Sequence, residues 1–409
     1  MTTAPDTSLS QVAPAHMRAP RSIARSVNDV GWKLFGQTAG DGQDAVLSPV
    51  SIGIALGMLD AGATGSVADA LHRLFGQGWE GENRVAAFAA LSQAIVAEPA
   101  QQPDVVDIFD PYFPQAPSPT VRLAHRMYHD VGFVPRSEYV DVLRDGFDAG
   151  IERLVMAEDP AGSVRRINEW VSSRTNGLIP DLLNADAISG ATRLVLVNAL
   201  YFKATWLSEF HPDDTEDQPF TLLDGSTCEV PLMHQWQIDA PAMVGDGLRA
   251  IELEYAKSDL SMLVVLPDEG NFEDVEARMS SDLVEQIDAA LCVQPVDLWL
   301  PRFTTKAQLD VGAAIQCGLG IEGLTGSDGL DGIGPDVSID SIQHAAIIIV
   351  DEHSTEAAAT TFIGAELGSI PDPVELMPLR ADRPFLYAIR ERSTGVNLFV
   401  GRVVAPHCP

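Results

Sequence analysis

Residues 345–384 read AAIIIVDEHSTEAAATTFIGAELGSIPDPVELMPLRADRP, and the reading of the fold turns on this stretch. Ala345 to Val350 is an apolar run without alternation, which predicts a strand buried on both faces. No large hydrophobe follows from Asp351 to Thr361, yet Ser354 to Thr361 (STEAAATT) lacks the Pro or Gly of a tight turn. Gly364, Gly368, Pro371, Pro373 and Pro378 then mark irregular, exposed chain. Structureless loops of this length are uncommon in a compact domain and usually serve a function. Laid out as a strand, Thr355, Ala357, Ala359, Thr361 and Ile363 share one face, uncharged and mostly small. Glu356, Ala358, Thr360 and Phe362 take the other. Such a segment is suited to two states, outside a sheet and within one.

DEHSTEAAATTF resembles the hinge of a serpin reactive loop, and RPFLYAIRERSTGVNLFVGRVVAP resembles the C-terminal strand pair of that family. AVLSPVSIGIALGMLDAGA is similar to its core helix with paired serines, here Ser48 and Ser51. INEWVSSRTNGLIPDLL matches a family helix and turn. TRLVLVNALYFKATWLSEF matches a characteristic strand through Asn198, Phe202, Lys203 and Trp206. The likeness runs from about residue 22 to Pro406, with its segments in the family's order. It implies a mixed α/β serpin fold with a large central β-sheet, two smaller sheets, about nine helices and an exposed reactive loop at about 352–379.

The totals agree with one large domain over 21–409, since no linker interrupts the chain and 46% of it is hydrophobic. The net charge of −32, from 58 acidic against 26 basic residues, speaks against nucleic acid or an anionic membrane as partner. Residues 1–20 are polar and read as a disordered tail, not a signal peptide, which favours the cytoplasm; the family's habit leaves an extracellular place open. Cys228, Cys292, Cys317 and Cys408 fit no metal or redox spacing and are expected as free thiols. Six prolines between Pro99 and Thr120 suggest a surface insertion. FEDVEARMSSDLVEQIDAAL reads as an amphipathic helix, and VDLWLPRFTTKAQLDVGAAIQCGLGI as a strand and a helix.

Rival constellations are thin. GLGIEG at Gly318–Gly323 follows a helix where a dinucleotide site needs a strand, so it reads as a helix end. His125 and His129 share a face without a third ligand and are expected as a solvated pair. Neither HExxH nor GxSxG occurs, and no cofactor or metal is expected. His344 heads the most apolar strand and is expected to be a core histidine satisfied by hydrogen bonds.

The resemblance supplies the remaining roles. It implies that His344 is bonded to Asn198 and Ser51 in a network, with Ser48, tying two central strands that part to admit the loop. It pairs Glu352 with Arg302 near Trp206 at the base of the loop, as an exposed ion pair worth about 0–1 kcal/mol. It makes Glu352, Ser354, Thr355, Glu356, Ala357, Ala358, Ala359, Thr360 and Thr361 the hinge, with Ser354 where inhibitory relatives usually have glycine. Counting from Thr355 puts the reactive bond at Gly368–Ser369, with Leu367 or Ile370 as alternative recognition residues. The implied function is suicide-substrate inhibition of a serine protease of elastase, chymotrypsin or subtilisin type, or of a cysteine protease, by a monomer without catalytic residues of its own. The alternative is a non-inhibitory binding or storage protein.

Overall fold

The computed structural model describes residues 21–40, 42–75, 82–96, 119–321, 329–335, 337, 342–352 and 375–406. The tail 1–20, most of the 99–120 insertion and Cys408 lie outside them. Nine α-helices and fourteen strands form a mixed α/β fold among the described residues. The strands in chain order are β1 (Ala45–Leu47), β2 (Thr120–Asp130), β3 (Gly150–Leu154), β4 (Leu194–Lys203), β5 (Glu216–Thr221), β6 (Thr227–Gly245) and β7 (Leu248–Glu254). They continue as β8 (Leu260–Pro267), β9 (Cys292–Pro301), β10 (Phe303–Asp310), β11 (Gln343–Val350), β12 (Met377–Arg380), β13 (Phe385–Glu391) and β14 (Val396–Val403).

Five strands make the sheet that carries the apolar run, in the order β10-β11-β4-β2-β3. The other nine form one connected sheet, in which the 19-residue β6 joins what the resemblance implies as two smaller sheets. A bulge between Gln235 and Ile238, with Gln237 at φ 57°, lets β6 bend along that path.

Residues 345–350 are apolar without alternation because both faces of β11 are covered. Ala345 and Ile347 pack with Tyr128, Ile167, Trp170 and Val197 beneath the helix Pro160–Arg174. Ala346 and Ile348 point the other way, into the main core. The helix Pro49–Asp60 lies in that core with all twelve residues buried. Ser48 caps it by accepting from the Ser51 N–H, and Pro49 fills the first turn. A Cβ on Gly53 would come within 2.7 Å of Val27, and one on Gly57 within 2.6 Å of Phe88, so both glycines permit close helix contact.

Several expectations are corrected. FEDVEARMSSDLVEQIDAAL is two helices, Phe272–Arg278 and Ser281–Ala290, because Met279 turns extended (ψ 124°) and Ser280 caps the second. VDLWLPRFTTKAQLD is two strands, β9 and β10, in different sheets, parting at Arg302. Cys228 is disulfide-bonded, whereas Cys292 and Cys317 are free. Thiol titration of the unfolded, unreduced chain should therefore count two of its four cysteines; a count of four would exclude the bridge.

Candidate functional site: the junction of the central strands and the loop base

β4 and β11 run side by side in parallel, but their register comprises one pair, Gln343↔Val197. On its other edge β4 pairs with β2 at ten positions, from Thr120↔Lys203 to His129↔Leu194. β11 pairs with β10 along its whole length, from Phe303↔Val350 to Asp310↔Gln343. The centre of the sheet is thus held by a single described backbone pair, while its flanks are fully laddered.

Asn198 and His344 are the immediate neighbours of that pair, and both reach the first turn of the helix Pro49–Asp60. Asn198 Nδ2 donates to the Ser51 carbonyl at 3.3 Å. The Ser48 backbone N–H donates to His344 Nε2 at 3.1 Å. The helix start therefore holds β4 and β11 separately, each through its own hydrogen bond. This corrects the partners expected for His344, which takes the Ser48 amide in place of Asn198 and Ser51. A capped helix N-terminus presents N–H groups that lack an intrahelical acceptor, and an unprotonated imidazole nitrogen supplies one.

His125 completes the network and was misjudged from sequence. It is buried, not solvated, with Nδ1–H donating to Asn198 Oδ1 at 2.5 Å and Nε2 accepting from Ser92 Oγ at 3.2 Å. His129 is buried as well and donates from Nδ1 to the Asp130 and Phe133 carbonyls, both at 3.1 Å. Strand alternation puts the two on one face, but only the helices packed there reveal that this face is inside.

Burial pushes both His344 and His125 down to about 4, the latter partly opposed by its bond to Asn198. Both are neutral in the folded chain near neutral pH. Their folded values lie below the unfolded 6.5, so the stability linked to them is complete above pH 6.5 and is lost as pH falls through about 4. Each shift corresponds to on the order of 3 kcal/mol. Denaturant titrations from pH 7.5 to 4 should show this loss, and His125→Asn should flatten the slope between pH 6.5 and 4. A wild-type stability level across that window would refute the buried neutral state.

At the far end of β11 lie Asp351 and Glu352, where the sequence places the base of the expected loop. The Asp351 carbonyl accepts from Trp206 Nε1 at 3.0 Å, and the Glu352 carbonyl accepts from the Phe210 N–H at 2.9 Å. Trp206 is fixed by stacking on Tyr255, with centroids 4.6 Å apart, and by an edge contact with Phe210. Glu352 Oε1 accepts from Arg302 Nε and Thr215 Oγ1, both at 2.5 Å. The pair is not an exposed one: the Glu352 side chain is 5% exposed and that of Arg302 41%. Burial pushes the Glu352 carboxyl up, but its bonds to Arg302 and Thr215 outweigh this and hold it below its ordinary range. Removing Arg302 would strand a buried carboxylate, at a cost between the ~0–1 kcal/mol of a surface pair and the ~3–5 kcal/mol of a buried one.

Sequence reading did not find Ser92, His125, Phe210 or Thr215 in these roles, since each meets its partner from a separate part of the chain. The structure brings Ser48, Ser51, Asn198 and His344 together at one end of β11, and Trp206, Arg302 and Glu352 at the other. Ser354, Thr355, Glu356, Ala357, Ala358, Ala359, Thr360, Thr361, Leu367, Gly368, Ser369 and Ile370 lie outside the described residues.

Comparison with known proteins bears on the whole arrangement. The family described as Serpin (serine protease inhibitor) matches residues 25–406. An uncharacterized serpin-like protein of Thermococcus kodakarensis is 30% identical over 388 residues, covering 94% of this chain and 86% of the relative. Mouse neuroserpin is 28% identical, covering 93% and 91%. The crystal structure of human thyroxine-binding globulin with bound hormone superposes with a TM-score of 0.81 at 24% identity, covering 95% of this chain and all of that one. With the match extending from the first helix to the last strand, the chain belongs to the serpin family.

Proposed function

We propose that this protein inhibits a serine protease as a suicide substrate. Most serpins inhibit serine proteases, although some, such as thyroxine-binding globulin, do not. The observation that carries the inhibitory reading is the single backbone pair between β4 and β11, beside strands otherwise paired along their length. A segment entering between them would break one pair and gain two ladders. The chain immediately after Glu352 has the composition for this, with Thr355, Ala357, Ala359 and Thr361 small and uncharged on one face.

In this reading the protease attacks a loop bond and becomes acylated by the new carboxyl end. The freed segment inserts and carries the enzyme along, distorting its active site before water can release it. The protein supplies no catalytic group; it supplies a metastable state whose relaxation must outrun deacylation, which is a kinetic property. The loop-base bonds and the Ser48/Ser51–Asn198–His125–His344 network are the contacts that would govern opening, because discrete polar bonds break one at a time.

Incubation with elastase, chymotrypsin, subtilisin and trypsin tests this on denaturing gels. A complex surviving denaturant is expected with one of the first three, and weak action on trypsin, because no Arg or Lys lies between Glu356 and Leu379. Clean cleavage of the loop by all, with no complex, would favour the binding-protein alternative. Mass spectrometry of the released peptide should place the cut after Gly368, or after Leu367 or Ile370. Filling an apolar pocket is worth about 1–3 kcal/mol, enough to move the chosen bond by a residue. An inhibitory cut near Arg380 or Arg383 would show the loop register to be wrong.

A further inference from the structure

A cavity of about 400 Å³ lies behind the loop base, between the segment that follows β4, the bulged middle of β6, and strands β7 and β9. Its size falls in the range of small-molecule sites. Trp206, Phe210, Ile238 and Leu253 give it apolar walls, and Leu207 and Val293 stand at its lining 62% and 72% exposed. The β6 bulge shapes one side: Gln237 adopts a left-handed backbone (φ 57°), a conformation that costs a non-glycine residue on the order of 1 kcal/mol or more.

The polar part of this wall has one sign. It contains three carboxylates, Asp239, Glu252 and Glu254, and no Lys, Arg or His. Glu252 pairs with Arg390, which Asp288 shares, and Glu254 pairs with Arg392. Asp239 is exposed and has no ion-pair partner among the described residues. The charge of −32 over the whole chain adds a field that draws cations and repels anions.

We propose that this cavity binds a small amphiphilic amine, its apolar body against Trp206 and Leu253 and its ammonium beside Asp239, and that occupancy steadies the loop base. The link is direct. Trp206 and Phe210, two of the wall residues, donate the hydrogen bonds that hold the Asp351 and Glu352 carbonyls. A ligand packed on these rings restricts their motion and so stabilises the closed arrangement of Asp351 and Glu352.

Calorimetry of the full chain with 4-phenylbutylamine, 4-phenylbutanol and 4-phenylbutyrate tests the proposal. The three share an apolar body and differ in the charge of the head. The amine should bind tightest, the alcohol roughly two- to five-fold more weakly, as for one exposed ion pair, and the acid weakest of all. Asp239→Asn, a surface change, should abolish the preference of amine over alcohol while leaving alcohol binding intact, and added salt should shrink the preference in the wild type. Hydrogen exchange at the Phe210 amide should slow when the amine is bound. No binding by any of the three, equal affinities, or a preference that survives Asp239→Asn would overturn the site; unchanged exchange at Phe210 would overturn its link to the loop. No protease enters these measurements, so the outcome is independent of whether the protein is an inhibitor.

Discussion

Cutting the chain once between Gly364 and Pro373 should raise its melting temperature by on the order of 10 °C. A cut ordinarily destabilises a protein or leaves it unchanged. Here it would free a segment beginning near Thr355 to enter between β4 and β11, which share one described backbone pair. A strand entering there bonds on both sides, gaining roughly ten ladder bonds at about 1 kcal/mol each. Unfolding entropies near 2 cal/mol/K per residue convert about 10 kcal/mol in a chain of 409 residues into on the order of 10 °C. Scanning calorimetry of intact and nicked protein, at neutral pH so that the buried histidines do not titrate, gives the comparison. Equal melting points would mean that the loop does not join the sheet, and would point to a binding protein.

Replacing Thr355 by arginine should turn the proposed inhibitor into a substrate. Thr355 falls on the face with Ala357, Ala359 and Thr361, which insertion would bury. A guanidinium on that face without a partner costs several kcal/mol, felt only when the segment enters. In the proposed mechanism insertion and deacylation compete for one acyl-enzyme, so each 1.4 kcal/mol added to the insertion barrier shifts the partition about ten-fold toward release. The stoichiometry of inhibition should therefore rise by at least about ten-fold, with cleaved chain replacing complex on the gel. The melting temperature of the uncut variant should stay within about 2 °C of the wild type, because the substitution touches the inserted state alone. Retention of covalent trapping at normal stoichiometry would sink the insertion mechanism for this protein.

Much of the fold was legible because its segments are locally consistent. The helix Pro49–Asp60 announces itself through Ser48, Pro49 and an unbroken apolar run, and the turn after Arg174 through Asn176 and Gly177, both left-handed (φ 56° and 79°). β6 was not legible. Its bulge shifts the register between Gln235 and Ile238, so the period-two pattern slips midway, and Trp236 is left 66% exposed. The break between β9 and β10 was hidden for a related reason: Leu298, Leu300 and Phe303 are all buried, so hydrophobicity continues while the chain changes sheets at Arg302.

The candidate site divides in the same way. The residue types that can carry a sheet-opening mechanism, namely small uncharged positions in the loop, His344 at the head of β11 and Glu352 at its end, are properties of the local sequence. Partner choice is not. His125 looked solvated because strand alternation specifies which residues share a face, and says nothing of which face is covered. His344 was expected to bond Asn198; it bonds the Ser48 amide because the helix cap leaves that N–H without an intrahelical acceptor at the point where β11 passes. Glu352 looked like one half of a surface pair, but Thr215 and Phe210 bond it and Trp206 holds the adjacent Asp351 carbonyl. By itself the sequence determined the buried strand β11 and the capped helix start at Ser48, because these depend on neighbours along the chain. Only the tertiary structure decided which polar groups are buried and which satisfies which, because desolvation and hydrogen bonding are settled by groups tens to hundreds of residues apart.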